Sequence, residues 1–211
     1  MSYSYLSNKY MKILSYYTNS YSDIGKINAT RWQKYCDTNN FEFKCDILDE
    51  QKYPYWKKME LWIDELENTS HDYIVWTDID VVLINKSISI YSIIKDVPIT
   101  ISADNQGLCC GFIIIKNCEW SKEFFRSCNF LRDVLYEKEK IYSPNRKLED
   151  QSCIKYLYDG FETVNSNIKL IEQDIVSHPE IGISDKNFAH HFWWTNNPNR
   201  LELVNYIKNL P

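Results

Sequence analysis

Short apolar runs alternate along this chain with stretches of helical period. Met11–Tyr17 (MKILSYY) is an apolar run that ends in Thr18-Asn19-Ser20, the pattern of a strand opening into a loop. Lys26–Asn39 places Ile27, Trp32 and Tyr35 at mixed helical spacing among good helix formers. Phe41–Leu48 (FEFKCDIL) alternates and predicts a second strand. Beyond Pro54, Trp56–Leu66 (WKKMELWIDEL) puts Met59, Trp62, Ile63 and Leu66 on one helical face. Asp72–Ile84 (DYIVWTDIDVVLI) is the strongest element, a buried-type strand over Tyr73–Trp76 that two aspartates interrupt where it should end. Pro98–Ala103 and Gly111–Lys116 predict two more strands, with a loop over Asp104–Cys110 between them. Ser121–Leu135 predicts a helix whose stripe is Phe124, Phe125, Cys128 and Leu131, and the charged stretch Glu137–Lys147 an exposed loop. A short helix over Asp150–Tyr158, strands between Phe161 and Val176, the aromatic–histidine run FAHHFWW and a last helix over Leu201–Asn209 complete the pattern.

Strands alternating with helices imply an α/β fold whose sheet is mostly parallel, at least at its start, and flanked by helices. The 211 residues suit a single domain over 1–211, with neither an internal repeat nor a long linker to divide it. With 44% hydrophobic and 25% charged residues the chain is of globular composition, and its net charge of -5 argues against a nucleic-acid binder. No run approaches the roughly 20 apolar residues of a membrane span. The first residues, MSYSYLSNKYMKIL, lack the basic-then-apolar layout of a signal peptide, so a cytoplasmic location is expected. The seven cysteines fall at no metal-ligand spacing, and several sit in apolar runs, as reduced structural thiols do. The 7 Trp and 16 Tyr also suit flat ligands such as bases and sugar rings.

Four groups of residues can carry chemistry. Asp78 and Asp80 are spaced i, i+2 at a strand end, so both carboxylates can face one point and suit a hard divalent cation such as Mg²⁺ or Mn²⁺. The same pattern fits a polar strand end that caps a neighbouring helix. His190 and His191 can add an imidazole, which would favour Mn²⁺, or can simply pack among Phe188, Phe192, Trp193 and Trp194. Glu149 and Asp150 precede or open a helix, where a carboxylate serves as a cap or projects into a cleft as a base. Asp104, with Gly111 beyond it, suits either a sugar-hydroxyl ligand or an ordinary turn.

Taken in order, these pieces resemble the DxD-containing glycosyltransferases of GT-A fold, and most closely the galactosyl/mannosyl-transferase family with a W-x-K helix before its DxD strand. The resemblance is carried by Trp56-Lys57-Lys58, Ile74–Asp80, Ile101–Asp104, Gly111–Asn117 with Glu119-Trp120-Ser121, Glu149-Asp150-Gln151 and His190-His191-Phe192. It implies a GT-A sheet, an enzyme that takes its sugar from a nucleoside diphosphate sugar, UDP-linked, and an acceptor hydroxyl on a glycan or glycoprotein. It implies Asp80 as a Mn²⁺ (or Mg²⁺) ligand, Asp78 on the ribose or the metal, and His191 as the third ligand with His190 as the alternative. Thr18 would hold the base, Lys58 would lie near the phosphates, Asp104 would hold sugar hydroxyls, and Asp150, backed by Glu149, would face the acceptor.

The chain departs from the family where Cys109-Cys110-Gly111 replaces the usual Asn-x-Gly, removing an amide beside the donor sugar. It also lacks the anchor and stem of secretory-pathway members, as bacterial and viral versions do or as a domain cut from a longer protein would. The family is retaining, whereas an acidic pair heading a helix also resembles the acceptor-side base of inverting enzymes, and both courses stay open. Two rivals remain at this point: a glycan- or nucleotide-sugar-binding module without turnover, and a haloacid-dehalogenase-type phosphatase with Asp78 as nucleophile.

Overall fold

The structure, a computed structural model, describes residues 11–49, 54–105, 107–142, 150–192 and 200–210. Six strands form the main sheet: β1 (Met11–Thr18), β2 (Glu42–Leu48), β3 (Tyr73–Thr77), β5 (Ile99–Asp104), β6 (Gly107–Lys116) and β7 (Ile168–Leu170), in the order β2-β1-β3-β6-β5-β7. The parallel pairs β1–β2, β1–β3 and β5–β7, with antiparallel β6 between β3 and β5, leave β6 as the one reversed strand. The ends of β1, β3 and β5 therefore share one edge. A second sheet of three short strands has the order β4-β9-β8, with β4 at Val81–Leu83, β8 at Val176–Ser177 and β9 at Ala189–His191.

Continuous apolar strands are what a sheet covered on both faces requires. Alternation then divides each run. Ile74, Trp76, Ile113 and Ile115 pack under α2 (Pro54–Asn68), α3 (Glu119–Tyr142) and α4 (Asp150–Gly160), against Met59, Trp62, Phe125 and Cys153. Val75, Phe112 and Ile114 face the other way, onto Trp32 and Tyr35 of α1 (Ser22–Asn39) and onto the small sheet through Val81, Leu83 and Phe188. A four-residue helix, α5 (Glu162–Asn165), precedes β7, and α6 (Arg200–Asn209) lays Leu203, Val204 and Ile207 over Ile24, Val82 and Ile84. Helix α1 stops at Asn40, whose left-handed φ of 57° turns the chain into β2.

Three boundaries differ from the sequence pattern. β6 begins at Gly107, not Gly111, because β5 and β6 form a tight hairpin with Asp104 opposite Gly107; Cys109 and Cys110 are thus strand residues rather than loop. α3 runs to Tyr142, so the first part of the charged stretch from Glu137 is helix, not loop. The region after Phe161 opens with α5 before its short strands. Among the described residues no helix is long and apolar enough to cross a membrane.

The join between the sheets depends on one side chain of α1. Asn28, fully buried, donates from Nδ2 to the carbonyls of Ile79 (2.8 Å) and Val81 (2.9 Å). Asn28→Ala strands the Ile79 carbonyl and leaves that of Val81 to the Trp32 indole alone, and should cost about 1–3 kcal/mol of stability, read as a lower urea midpoint at unchanged m-value.

Candidate active site

β3 ends at Thr77, and Asp78-Ile79-Asp80 carries the chain from the large sheet into the small one. The Asp78 N–H donates to the Gly111 carbonyl (2.8 Å), and the Asp78 carbonyl accepts from Val81 N–H (2.9 Å), closing a turn. Asn28 and the Trp32 indole (3.2 Å to the Val81 carbonyl) satisfy the buried carbonyls behind it. Both carboxylates are thereby left on the open edge of the sheet, where ligands of open α/β folds bind.

His191 reaches them from β9. Antiparallel pairing sets Val81 opposite His191, and the Phe192 N–H donates to the Asp80 carbonyl (2.9 Å), which fixes the register. The His191 Nε2 lies 3.4 Å from Asp80 Oδ1. One ligand atom each from Asp78, Asp80 and His191 lies within 4.8 Å of the other two. The ring rests on the backbone of Gly111, where a β-carbon would stand 2.6 Å from its Nδ1. Gly111 is required here for that approach. It lies in a bulge: Ile101 pairs with Ile113 but Ser102 pairs with Cys109, so Cys110, Gly111 and Phe112 have no counterpart on β5. Such bulges re-aim side chains beside active sites.

Burial would lift the Asp80 carboxyl, but His191 beside it holds it below its usual range. Burial pushes Asp78 up, against the pull of Lys58 and with a further push from Asp80. For His191 burial favours the neutral ring, yet Cys109 and then Asp80 outweigh it and keep the proton on well above the ordinary histidine range. A cation bound between the carboxylates would displace that proton, since a ligating imidazole is neutral. Two hard carboxylate oxygens with one borderline nitrogen are a donor set that fits Mn²⁺.

Lys58 occupies the floor of the site. Its ammonium, buried on α2, lies 3.3 Å from both Asp78 oxygens, 3.1 Å from Asp150 Oδ2 and 3.3 Å from the Cys110 carbonyl. Burial would lower its pKa, but Asp150 and then Asp78 hold it well above the usual lysine value, so it stays charged. The Trp76 indole also donates to Asp78 Oδ1 (2.6 Å). Gln151 accepts the Cys110 N–H (3.0 Å), so α4 also touches the bulge.

Of the residues expected from the sequence, Lys58, Asp78, Asp80, Asp150 and His191 converge. His190 does not join them: it points to the opposite side of β9, its Nδ1 2.7 Å from the Ser177 hydroxyl and its ring 4.4 Å from that of Phe192. Thr18, at the end of β1, and Asp104, at the end of β5, flank the site on the same edge without belonging to the cluster. Glu149, like Trp193 and Trp194, lies outside the described residues. The sequence pattern gave no role to Cys109, Gln151, Trp76 or Asn28. Asn28 was open to detection, as a polar residue between the apolar Ile24 and Trp32 on one helical face.

A profile of the galactosyl transferase GMA12/MNN10 family matches residues 91–196, just over half of the 211. The chain belongs to that family. The matched segment holds β5, β6, α4 and His191 but begins beyond Asp78 and Asp80, which geometry rather than the profile ties to it. No curated protein matches the sequence. Among solved structures, a glycosyltransferase involved in glycosylation of the major capsid of PBCV-1 superposes with a TM-score of 0.68 at 15% identity, over 94% of this chain and 98% of its own. The galactosyltransferase LgtC, solved with donor and acceptor sugar analogues, gives 0.56 at 13%, over 95% and 98%. GlyE of Streptococcus pneumoniae TIGR4 gives 0.57 at 11%, over 94% of this chain and 60% of its own. These likenesses show the GT-A fold, and family and fold together make the chain a glycosyltransferase; the phosphatase alternative has no support.

Two substitutions test this geometry. Gly111→Ala should fold but displace the His191 ring, weakening Mn²⁺ binding about tenfold or more by calorimetry, in line with the loss of a ligand's support. Lys58→Met leaves the buried Asp150 without its cation and should cost about 3–5 kcal/mol. Adding Asp150→Asn should recover part of that loss in urea unfolding, as coupled residues do.

Proposed function

We propose that this family member, as one domain, transfers a sugar from a UDP-linked donor to a hydroxyl of a glycan or glycoprotein, with Mn²⁺ held by Asp78, Asp80 and His191. The observation that carries this reading is the convergence of two carboxylates and one imidazole within 4.8 Å on the edge of the sheet that receives ligands. A cation held by these three residues would supply Lewis acidity toward the charge of a departing diphosphate.

The chain's own residues supply the rest. Thr18, held by Ser20 (2.8 Å between hydroxyls), stands where the base would enter at the end of β1. Asp104, at the hairpin that leads into the bulge, would hold hydroxyls of the donor sugar. Lys58 stays protonated and keeps Asp78 in place, balancing the two carboxylates that would otherwise repel each other across the floor. Asp150 is 2% exposed and paired with Lys58. That pairing supports a positioning role for Asp150 over a general base on the acceptor, and with it a retaining course, in which the leaving phosphate can take the acceptor's proton.

Thermal melting with UDP, GDP, CMP and ADP, each with and without Mn²⁺, tests donor and metal together. A diphosphate at about a hundred times its dissociation constant adds about 2.7 kcal/mol, a visible shift in melting temperature. The expected result is a shift that needs UDP plus Mn²⁺ and disappears in Asp80→Ala. A shift indifferent to Mn²⁺ and to Asp80 would remove the basis of this reading.

A further inference from the structure

The imidazole of His191 presents two edges. Nε2 faces Asp80, at 3.4 Å, and so looks into the carboxylate cluster. Nδ1 faces away from it, and 3.4 Å beyond stands the sulfur of Cys109, with both residues buried. A histidine that gives one nitrogen to a metal usually donates its other N–H to a fixed acceptor, which sets the tautomer and the ring plane. Carboxylates and backbone carbonyls are the common acceptors; here the position is taken by a thiol sulfur.

We propose that Cys109 is a positioning residue for the divalent-cation site, accepting the Nδ1–H of His191 so that the ring is held with Nε2 as the nitrogen aimed between Asp78 and Asp80. Three further features hold the arrangement. Cys109 is anchored through its own carbonyl, which accepts the Ser102 hydroxyl at 2.8 Å. The register shift between Ile101 and Ser102 sets Cys109 at the edge of the bulge that holds Gly111. Gly111, two residues on, leaves room for the ring face. The bulge backbone at Gly111 and the Cys109 thiol thus both restrain the imidazole, while Nε2 faces the carboxylates. The proposal rests on the Asp78–Asp80–His191 metal reading above and assigns to this chain a partner specific to its Cys-Cys-Gly sequence.

The test measures Mn²⁺ affinity without any substrate, by the loss of the free-ion paramagnetic resonance signal, for wild type, Cys109→Ala and Cys109→Ser. Cys109→Ala should bind Mn²⁺ about tenfold more weakly, the usual consequence of losing an outer-sphere partner. Cys109→Ser, which retains an acceptor, should fall between it and wild type. Metal-free melting temperatures should stay close to wild type in both, which a purely packing role would not allow. Equal affinity in wild type and Cys109→Ala overturns the proposal, as does Cys109→Ser binding as weakly as Cys109→Ala. Co²⁺ substitution adds a second readout. A wild-type thiolate-to-cobalt charge-transfer band that Cys109→Ala removes would make Cys109 a ligand itself and overturn the positioning role. Wild type that fails to bind Mn²⁺ would instead overturn the metal reading, and the proposal with it.

Discussion

The passage of one strand from one sheet to another within three residues is the constraint on which the rest of this molecule depends. β3 is a covered central strand, and β4 belongs to a different sheet that packs with α1 on one face of the first. A turn this short in the interior exposes carbonyls that water cannot reach, and the fold meets the need with Asn28 and Trp32 of α1. Once those partners are in place the turn has no freedom left. Asp78 and Asp80 face the open edge because the backbone between them is tied down behind.

Charge is organised around that turn in two opposed pairs. Lys58 sits behind Asp78 and also holds Asp150, while His191 sits beyond Asp80. Each carboxylate thus has a positive neighbour on its own side, which is how two acidic groups spaced i, i+2 can coexist in a partly buried place. The arrangement also ties α2, α4 and the small sheet to one point. Elements that are far apart in sequence meet there through side-chain charges rather than through apolar contact alone.

Much of this was legible in the sequence, and the exceptions have physical reasons. The apolar run at Tyr73–Trp76 reads as a strand because a sheet covered on both faces leaves it no polar interruption, and Met11–Tyr17 does so with only Lys12 and Ser15 among its apolar residues. The DxD, the buried lysine of the W-x-K segment and the second of two histidines all fell where their order along the chain suggested. The Cys109-Cys110 segment did not. Its neighbours Gly107 and Gly111 look like loop punctuation, but one makes a hairpin and the other lies in a bulge inside a strand, and local pattern does not distinguish these from a loop. The pairing of Asp150 with Lys58 was not legible, because sequence does not reveal that a lysine arrives from a helix some ninety positions earlier.

Adjacent histidines on a strand give the small sheet an unusual tolerance. Side chains alternate across a strand, so a slip of β9 by one residue would exchange the two faces. In most strands such a slip replaces a functional group with a hydrophobe. Here it would offer the carboxylates another imidazole, in the person of His190. What it would not preserve is the surrounding mould: the hydrogen bond between Phe192 and the Asp80 carbonyl, the flat support of Gly111 and the sulfur beside the ring all belong to a single register. The chemical identity of the ligand is thus duplicated along the chain, while its geometry is written only once, and the fidelity of the site is decided by strand alignment rather than by composition.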